Sequence, residues 1–293
     1  MNPAARRAEA LGAHLPPLLV AAERVAATVA QGVHGRRRVG QGDSFWQFRP
    51  FVSGDLTSRI DWRVSARLAR VFVRETEWEA AQTVCLWRDG GPAMRWKSRG
   101  APVAKADRAG LILLALAALL LRGGERVRLI APDSRALAGR AGLDRIAEEL
   151  ERLPDTGGLP PRVPLPRHAR VVLLGDFLGP IAEIGAEIVR LAALPVAGTL
   201  VQVLDPAEVL LPYEGRVRFE GLGGALTTLV PRVENVREQY ARRLAEQQEA
   251  IGRICAAAGW SFSVHRTDQP PEAALLALYT ALAPRTTQIE AHR

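Results

Sequence analysis

The stretch TVCLWRDGGPAMRW, Thr83 to Trp96, decides how the fold is read. It begins with a short apolar run that ends on an aspartate, Asp89, and the turn after it consists of Gly90, Gly91, Pro92 and Ala93. An apolar run of this length, bounded by turn residues, predicts a buried strand. In an open parallel sheet the ligand crevice lies outside the carboxyl ends of the strands, so Asp89 is the first candidate functional residue.

Working outward toward the C-terminus, strands and helices alternate. ADRAGLILLALAALLLRGG predicts a helix stopped at Gly123, RVRLIAPD a strand, and GLDRIAEELERLP a helix. ARVVLLGDF, PIAEIGAEIVRLAAL and AGTLVQVLDP continue as strand, helix and strand, and RVRFEGLGGALTTLV reads as a hairpin. A long helix follows, on which Val233, Val236, Tyr240, Leu244, Ile251 and Ile254 share a face. WSFSVHRTD is the last strand, and PEAALLALYTAL a helix behind it. This order predicts an α/β fold, doubly wound, with a mostly parallel sheet and helices on both faces. PDTGGLPPRVPLPRH reads as a long surface loop.

A second carboxylate, Asp176, stands at the end of the VVLLG strand, and Asp133 and Asp205 hold further strand-end positions. If VCLWR and VVLLG are neighbours, Asp89 and Asp176 face each other across the crevice. That is the pairing a magnesium-type site requires, because hard cations take oxygen ligands.

Toward the N-terminus the pattern changes. Residues 17–30 predict a helix with proline in its first turn, and from Val39 to Glu79 an irregular, aromatic-rich segment runs until RVFVRE, where alternation suggests a strand. Five of the six tryptophans lie between Trp46 and Trp96, which points to large rings packing a segment with little regular structure. Asp61, between Arg59 and Arg63 with Arg67 further on, suggests an ion-pair lattice with Trp62 as its hydrophobic peg. The division expected is 1–70, the N-terminal helix and irregular segment, and 71–293, the α/β domain.

Composition narrows the function classes. The chain has 293 residues, 48% of them hydrophobic, enough for a full core. Its longest apolar run, Leu111 to Leu121, falls short of the roughly 20 residues that span a bilayer. With no signal-peptide pattern at the N-terminus, a cytoplasmic location is expected. The two cysteines, Cys85 and Cys255, give neither a disulfide framework nor a zinc set and are expected to be buried thiols. His168 and His265 have no partner at metal-ligand spacing. Lysine occurs only at 97 and 105, so 37 of the 39 basic residues are arginine, and the net charge of +8 is spread along the chain. The one dense cluster, Arg36, Arg37 and Arg38, is joined by no recognised nucleic-acid motif. No Walker loop, Gly-x-Ser-x-Gly, His-Glu-x-x-His or dinucleotide fingerprint is present, so the sequence names no enzyme chemistry.

The segment from Gly42 to Asp89 closely resembles the one that defines the bacterial domain-of-unknown-function 58 family. The matching residues are Phe48-Arg49-Pro50-Phe51, Gly54-Asp55, Arg59-Ile60-Asp61-Trp62, Ser65-Ala66-Arg67 and Val73-Arg74-Glu75. The resemblance implies a von Willebrand factor A-like domain in an accessory protein. Such a protein would be paired with a MoxR-type AAA+ ATPase that helps mature or assemble other complexes, its client among them. It makes Arg49, Asp55, Arg59, Asp61, Trp62, Ser65 and Arg67 the candidates for partner contact. Domains of this type often carry an Asp-x-Ser-x-Ser cation site, and this sequence departs from it: Asp89 stands, but Gly91 and Ala93 replace the two hydroxyls. Two oxygen ligands are thereby lost, leaving Asp89 and Asp176 able at most to hold a hydrated Mg²⁺ weakly. The expectation is a degenerate site, no cofactor, and recognition of a protein without a metal.

Overall fold

The computed structural model describes residues 26, 29–30, 45–52, 60–68, 70–76, 82–153, 157–221 and 227–282. The chain divides into two units, residues 1–32 with 82–293, and residues 33–81.

The smaller unit contains an antiparallel pair, β1 (Phe45–Pro50) with β2 (Phe72–Thr76), in which Arg49 lies opposite Val73. Between them the described chain forms a helix, α1 (Trp62–Leu68). The segment read as irregular therefore holds a strand and a helix. RVFVRE does contribute to a strand, β2, which pairs with β1 within the unit of residues 33–81.

In the larger unit, Val84 to Trp87 form the buried part of β3 (Thr83–Arg88). The remaining strands of its sheet are β4 (Arg126–Leu129), β5 (Arg170–Gly175), β6 (Ala197–Leu204) and β9 (Ser261–Arg266). They lie in the order β4-β3-β5-β6-β9, and every neighbouring pair is parallel. A separate hairpin joins β7 (Val217–Glu220) to β8 (Thr227–Val230). A short helix, α2 (Pro92–Arg95), follows β3. Then come α3 (Lys105–Arg122), α4 (Arg140–Arg152), α5 (Ile181–Ala192), α6 (Pro206–Leu210), α7 (Glu234–Ala257) and α8 (Pro271–Leu282). Helix α3 packs against α4 and α8, and α5 against α7, so helices flank the sheet. The mixed α/β architecture with a parallel central sheet is as the alternation predicts.

Alternation along the strands sorts the two faces. Cys85, Trp87, Val171, Leu173 and Leu200 form one core with Ile184 and Ile188 of α5 and Ile251 and Cys255 of α7. Helix α3 is buried along nearly its whole length, which explains its unbroken apolar sequence. At 18 residues it is still not apolar enough to cross a membrane, nor is any other helix among the described residues. The loop after α4 runs over the surface, with Gly157, Gly158, Arg162, Pro164, Arg167 and His168 exposed, and is anchored from beneath. Pro160 is buried, and Leu159, Val163 and Leu165 pack on the core cluster. Of the helix expected at 17–30, residues 26, 29 and 30 are helical and the rest lie outside the described residues.

Candidate functional site

Asp89 and Asp176 leave the ends of adjacent strands. Arg88 and Leu174 are register partners, and the Asp89 N–H donates to the Leu174 carbonyl at 2.8 Å. The closeness of the strand ends shows in Gly175, where a Cβ would lie 3.2 Å from the Asp89 Cβ.

Each carboxylate is already engaged. Asp89 Oδ1 accepts the Gly91 N–H at 2.8 Å and the Gly158 N–H at 3.3 Å. Burial holds its carboxyl above the usual range, with the Asp176 charge adding to that effect and the two N–H donors and Lys105 opposing it. Gly91 is buried against the loop glycine Gly157, and a Cβ at Gly91 would lie 2.7 Å from the Gly157 Cα. The space a first serine side chain would need is filled by backbone. Ala93 is half-buried within α2.

Asp176 meets a residue that sequence reasoning missed. The Lys105 ammonium, from the first residue of α3, donates to Asp176 Oδ2 at 3.0 Å and to Glu208 Oε1 at 2.5 Å. Lys105 has 0% relative exposure. Burying an ammonium is costly unless it is paired and hydrogen-bonded, and here two carboxylates share it. The choice of lysine is informative in a chain whose cations are nearly all arginine. An ammonium is a compact point charge with three donors, whereas a guanidinium is a broad planar fork. The smaller group is the one that suits a closed space shared by the Asp176 and Glu208 carboxylates.

Glu208 is placed by a capping box. Asp205 caps α6 by accepting the Ala207 N–H at 2.8 Å, and Glu208 Oε2 accepts the Asp205 N–H at 2.8 Å. The other Asp205 oxygen accepts the Ser98 N–H at 2.8 Å, tying the loop after β3 to the end of β6. Asp205 is thus a fully buried structural cap. Burial raises the Glu208 carboxyl above its ordinary range, against the pull of Lys105. Tyr240 of α7 donates to the Glu208 carbonyl at 2.5 Å, and burial pushes its phenol up to about 12. Gln202 Nε2 donates to the Asp176 carbonyl at 2.8 Å and its amide oxygen accepts from Gln248 at 3.0 Å. Asp133 is exposed in a turn with φ 59°.

No group of three or more His, Cys, Asp or Glu side chains able to hold a metal occurs among the described residues. His265 is buried, and burial with the Arg108 charge depresses its imidazole to about 4. Cys85 and Cys255 are buried free thiols, both pushed up to about 11 mainly by burial.

In the smaller unit, the Asp61 carboxylate accepts the N–H groups of Arg63 and Val64 at 3.1 and 3.0 Å, so it caps α1. Ser65 is buried, donating to the Asp61 carbonyl at 2.7 Å and accepting the Phe72 N–H at 2.9 Å. Trp62, expected as a peg, is 67% exposed, and Arg67 is exposed with it. Arg49 lies on β1. Asp55, Arg59 and the cluster Arg36, Arg37 and Arg38 lie outside the described residues.

Fold and site together define a mixed α/β domain in which the strand-end acid Asp176 and Glu208 of α6 share an internal ammonium. The family model for the protein of unknown function DUF58 matches residues 47–250, and the chain belongs to that family. It is similar to uncharacterized proteins of Mycobacterium tuberculosis and Mycobacterium bovis. Each is 24% identical over 257 residues, covering 82% of this chain and 80% of the relative. Among solved structures it resembles the conserved hypothetical protein BatB from Bacteroides thetaiotaomicron, with 14% identity, a TM-score of 0.36, and 68% of this chain and 96% of that one covered. An aerotolerance-related membrane protein from Bacteroides fragilis, carrying multiple mutations to serine, gives 13% identity, a TM-score of 0.36 and coverages of 68% and 98%.

Proposed function

We propose that this protein is a non-enzymatic, metal-independent binding module that works with a MoxR-type AAA+ ATPase in the maturation or assembly of other complexes. The reading includes a von Willebrand factor A-like domain whose cation site is degenerate. One observation supports the metal independence above all: Lys105 supplies positive charge to Asp176 and Glu208 from within the chain. A divalent ion entering there meets an ammonium, and Asp89 is held by two backbone N–H donors. Gly91 offers no oxygen and no room for one. The ATPase partnership rests on the family resemblance carried by the Arg59 to Arg67 block. The test is association of the purified chain with any co-encoded MoxR-type ATPase, measured with and without EDTA. Association unaffected by EDTA is expected, whereas a complex that dissolves in EDTA and reforms with Mg²⁺ contradicts the reading.

A further inference from the structure

Helix α1 is pinned from the inside by polar groups and leaves its large apolar side chain in water. Asp61 and the buried Ser65 secure its start and its inner face. Trp62, Arg63, Ala66 and Arg67, at i, i+1, i+4 and i+5, are all exposed and share the opposite side. Arg70 is exposed just beyond the helix, and Val52 and Val71 are 59% and 40% exposed. Burying a serine while exposing an indole at 67% reverses the usual order of burial. The Asp61 carboxylate is turned back onto the backbone, so this face carries one aromatic anchor and three guanidinium groups.

We infer that the Trp62, Arg63, Arg67 and Arg70 face is a docking surface for an acidic segment of a protein partner. The indole takes an apolar side chain and the arginines take carboxylates. Tryptophan and arginine are the residues that dominate interface energetics, and the planar guanidinium matches a carboxylate in two parallel hydrogen bonds. A membrane surface fits less well. Helix α1 has 7 residues, about 10 Å of length, with a single aromatic and no continuous apolar stripe to insert. The inference rests on the accessory-protein reading and names the chemistry of one partner contact.

The test uses the full chain and three probes: a short synthetic peptide with glutamates and leucines at helical spacing, phosphatidylglycerol vesicles, and duplex DNA. The peptide is expected to bind in a salt-dependent way. Trp62→Ala and, separately, Arg63→Glu with Arg67→Glu should each weaken it by about tenfold or more, with circular dichroism and Tm unchanged. No peptide binding by the wild-type chain, or equal binding by both folded variants, overturns the inference. So does a stronger interaction with vesicles or DNA that the same substitutions abolish. Peptide binding with these losses but no association with the ATPase removes the ATPase reading and leaves the docking surface in place.

Discussion

The Lys105 ammonium and the Asp176 carboxylate meet at 3.0 Å beyond the ends of the central strands, and Lys105 has no exposed surface. An ion pair buried this deeply is poor evidence of added stability, because desolvation offsets most of the Coulomb gain. Its significance is occupancy. Positive charge that a strand-end acid pair would otherwise draw from solvent arrives on a side chain anchored at the start of α3.

Removing that ammonium leaves two buried carboxylates without their counter-charge. Lys105→Met is expected to lower stability by about 3–5 kcal/mol at pH 7. Burial already raises the Glu208 carboxyl against the pull of Lys105, so without Lys105 it rises further, and a group raised in the folded state favours folding as pH falls through the raised value. The deficit should therefore shrink between pH 7 and pH 5. Urea denaturation at both pH values measures it, and a deficit that does not change with pH contradicts the pairing.

Restoring the lost hydroxyl should not restore a metal site. Gly91→Ser places a Cβ 2.7 Å from the Gly157 Cα, a backbone atom that cannot rotate away. Overpacking of this kind costs about 1–3 kcal/mol. A lower Tm and no Mn²⁺-dependent stabilisation are expected by differential scanning fluorimetry. Gly91→Ser that gains stability with Mn²⁺ contradicts this account.

His265 makes the fold sensitive to acid. Its imidazole titrates near 4 when folded against 6.5 in the open chain, so on acidification the unfolded state takes up a proton first. Stability should fall across that interval, by up to about 3 kcal/mol from this residue. Arg108 beside it depresses the imidazole further, because its charge opposes a second cation. His265→Gln should flatten the pH dependence of urea midpoints, and a curve with unaltered slope counts against it.

The thiols of Cys85 and Cys255 are buried and raised to about 11, so neither supplies thiolate at neutral pH. Ellman's reagent should label the native protein only as fast as it opens, and both thiols at once in denaturant. Rapid labelling of either in the native state contradicts their placement in the core.

The sheet was legible because its three central strands, β3, β5 and β6, are buried on both faces and read as continuous apolar runs closed by Asp89, Asp176 and Asp205. The centre of the site was not. Lys105 sits in VAKAD, a modest helix start, and its partners come from strand ends and loops far off in sequence. Two local signals were present: a lone lysine opening an apolar helix in an arginine-rich chain, and Asp205-Pro-Ala-Glu208, a capping-box pattern that marks Glu208. Helix α1 was hidden because Asp61 reads as a member of a charge cluster, whereas its carboxylate serves the backbone. The loop that covers Gly91 was read from its proline and glycine content, which says nothing of Leu159 and Val163 packing beneath it.

The most direct test of the account is calorimetric titration of Mg²⁺ and Mn²⁺ into the full-length chain at neutral pH. With Lys105 on Asp176 and Glu208 and two backbone N–H groups on Asp89, no saturable heat is expected at millimolar metal. One equivalent bound tightly, and lost on Asp89→Asn or Asp176→Asn, would contradict it.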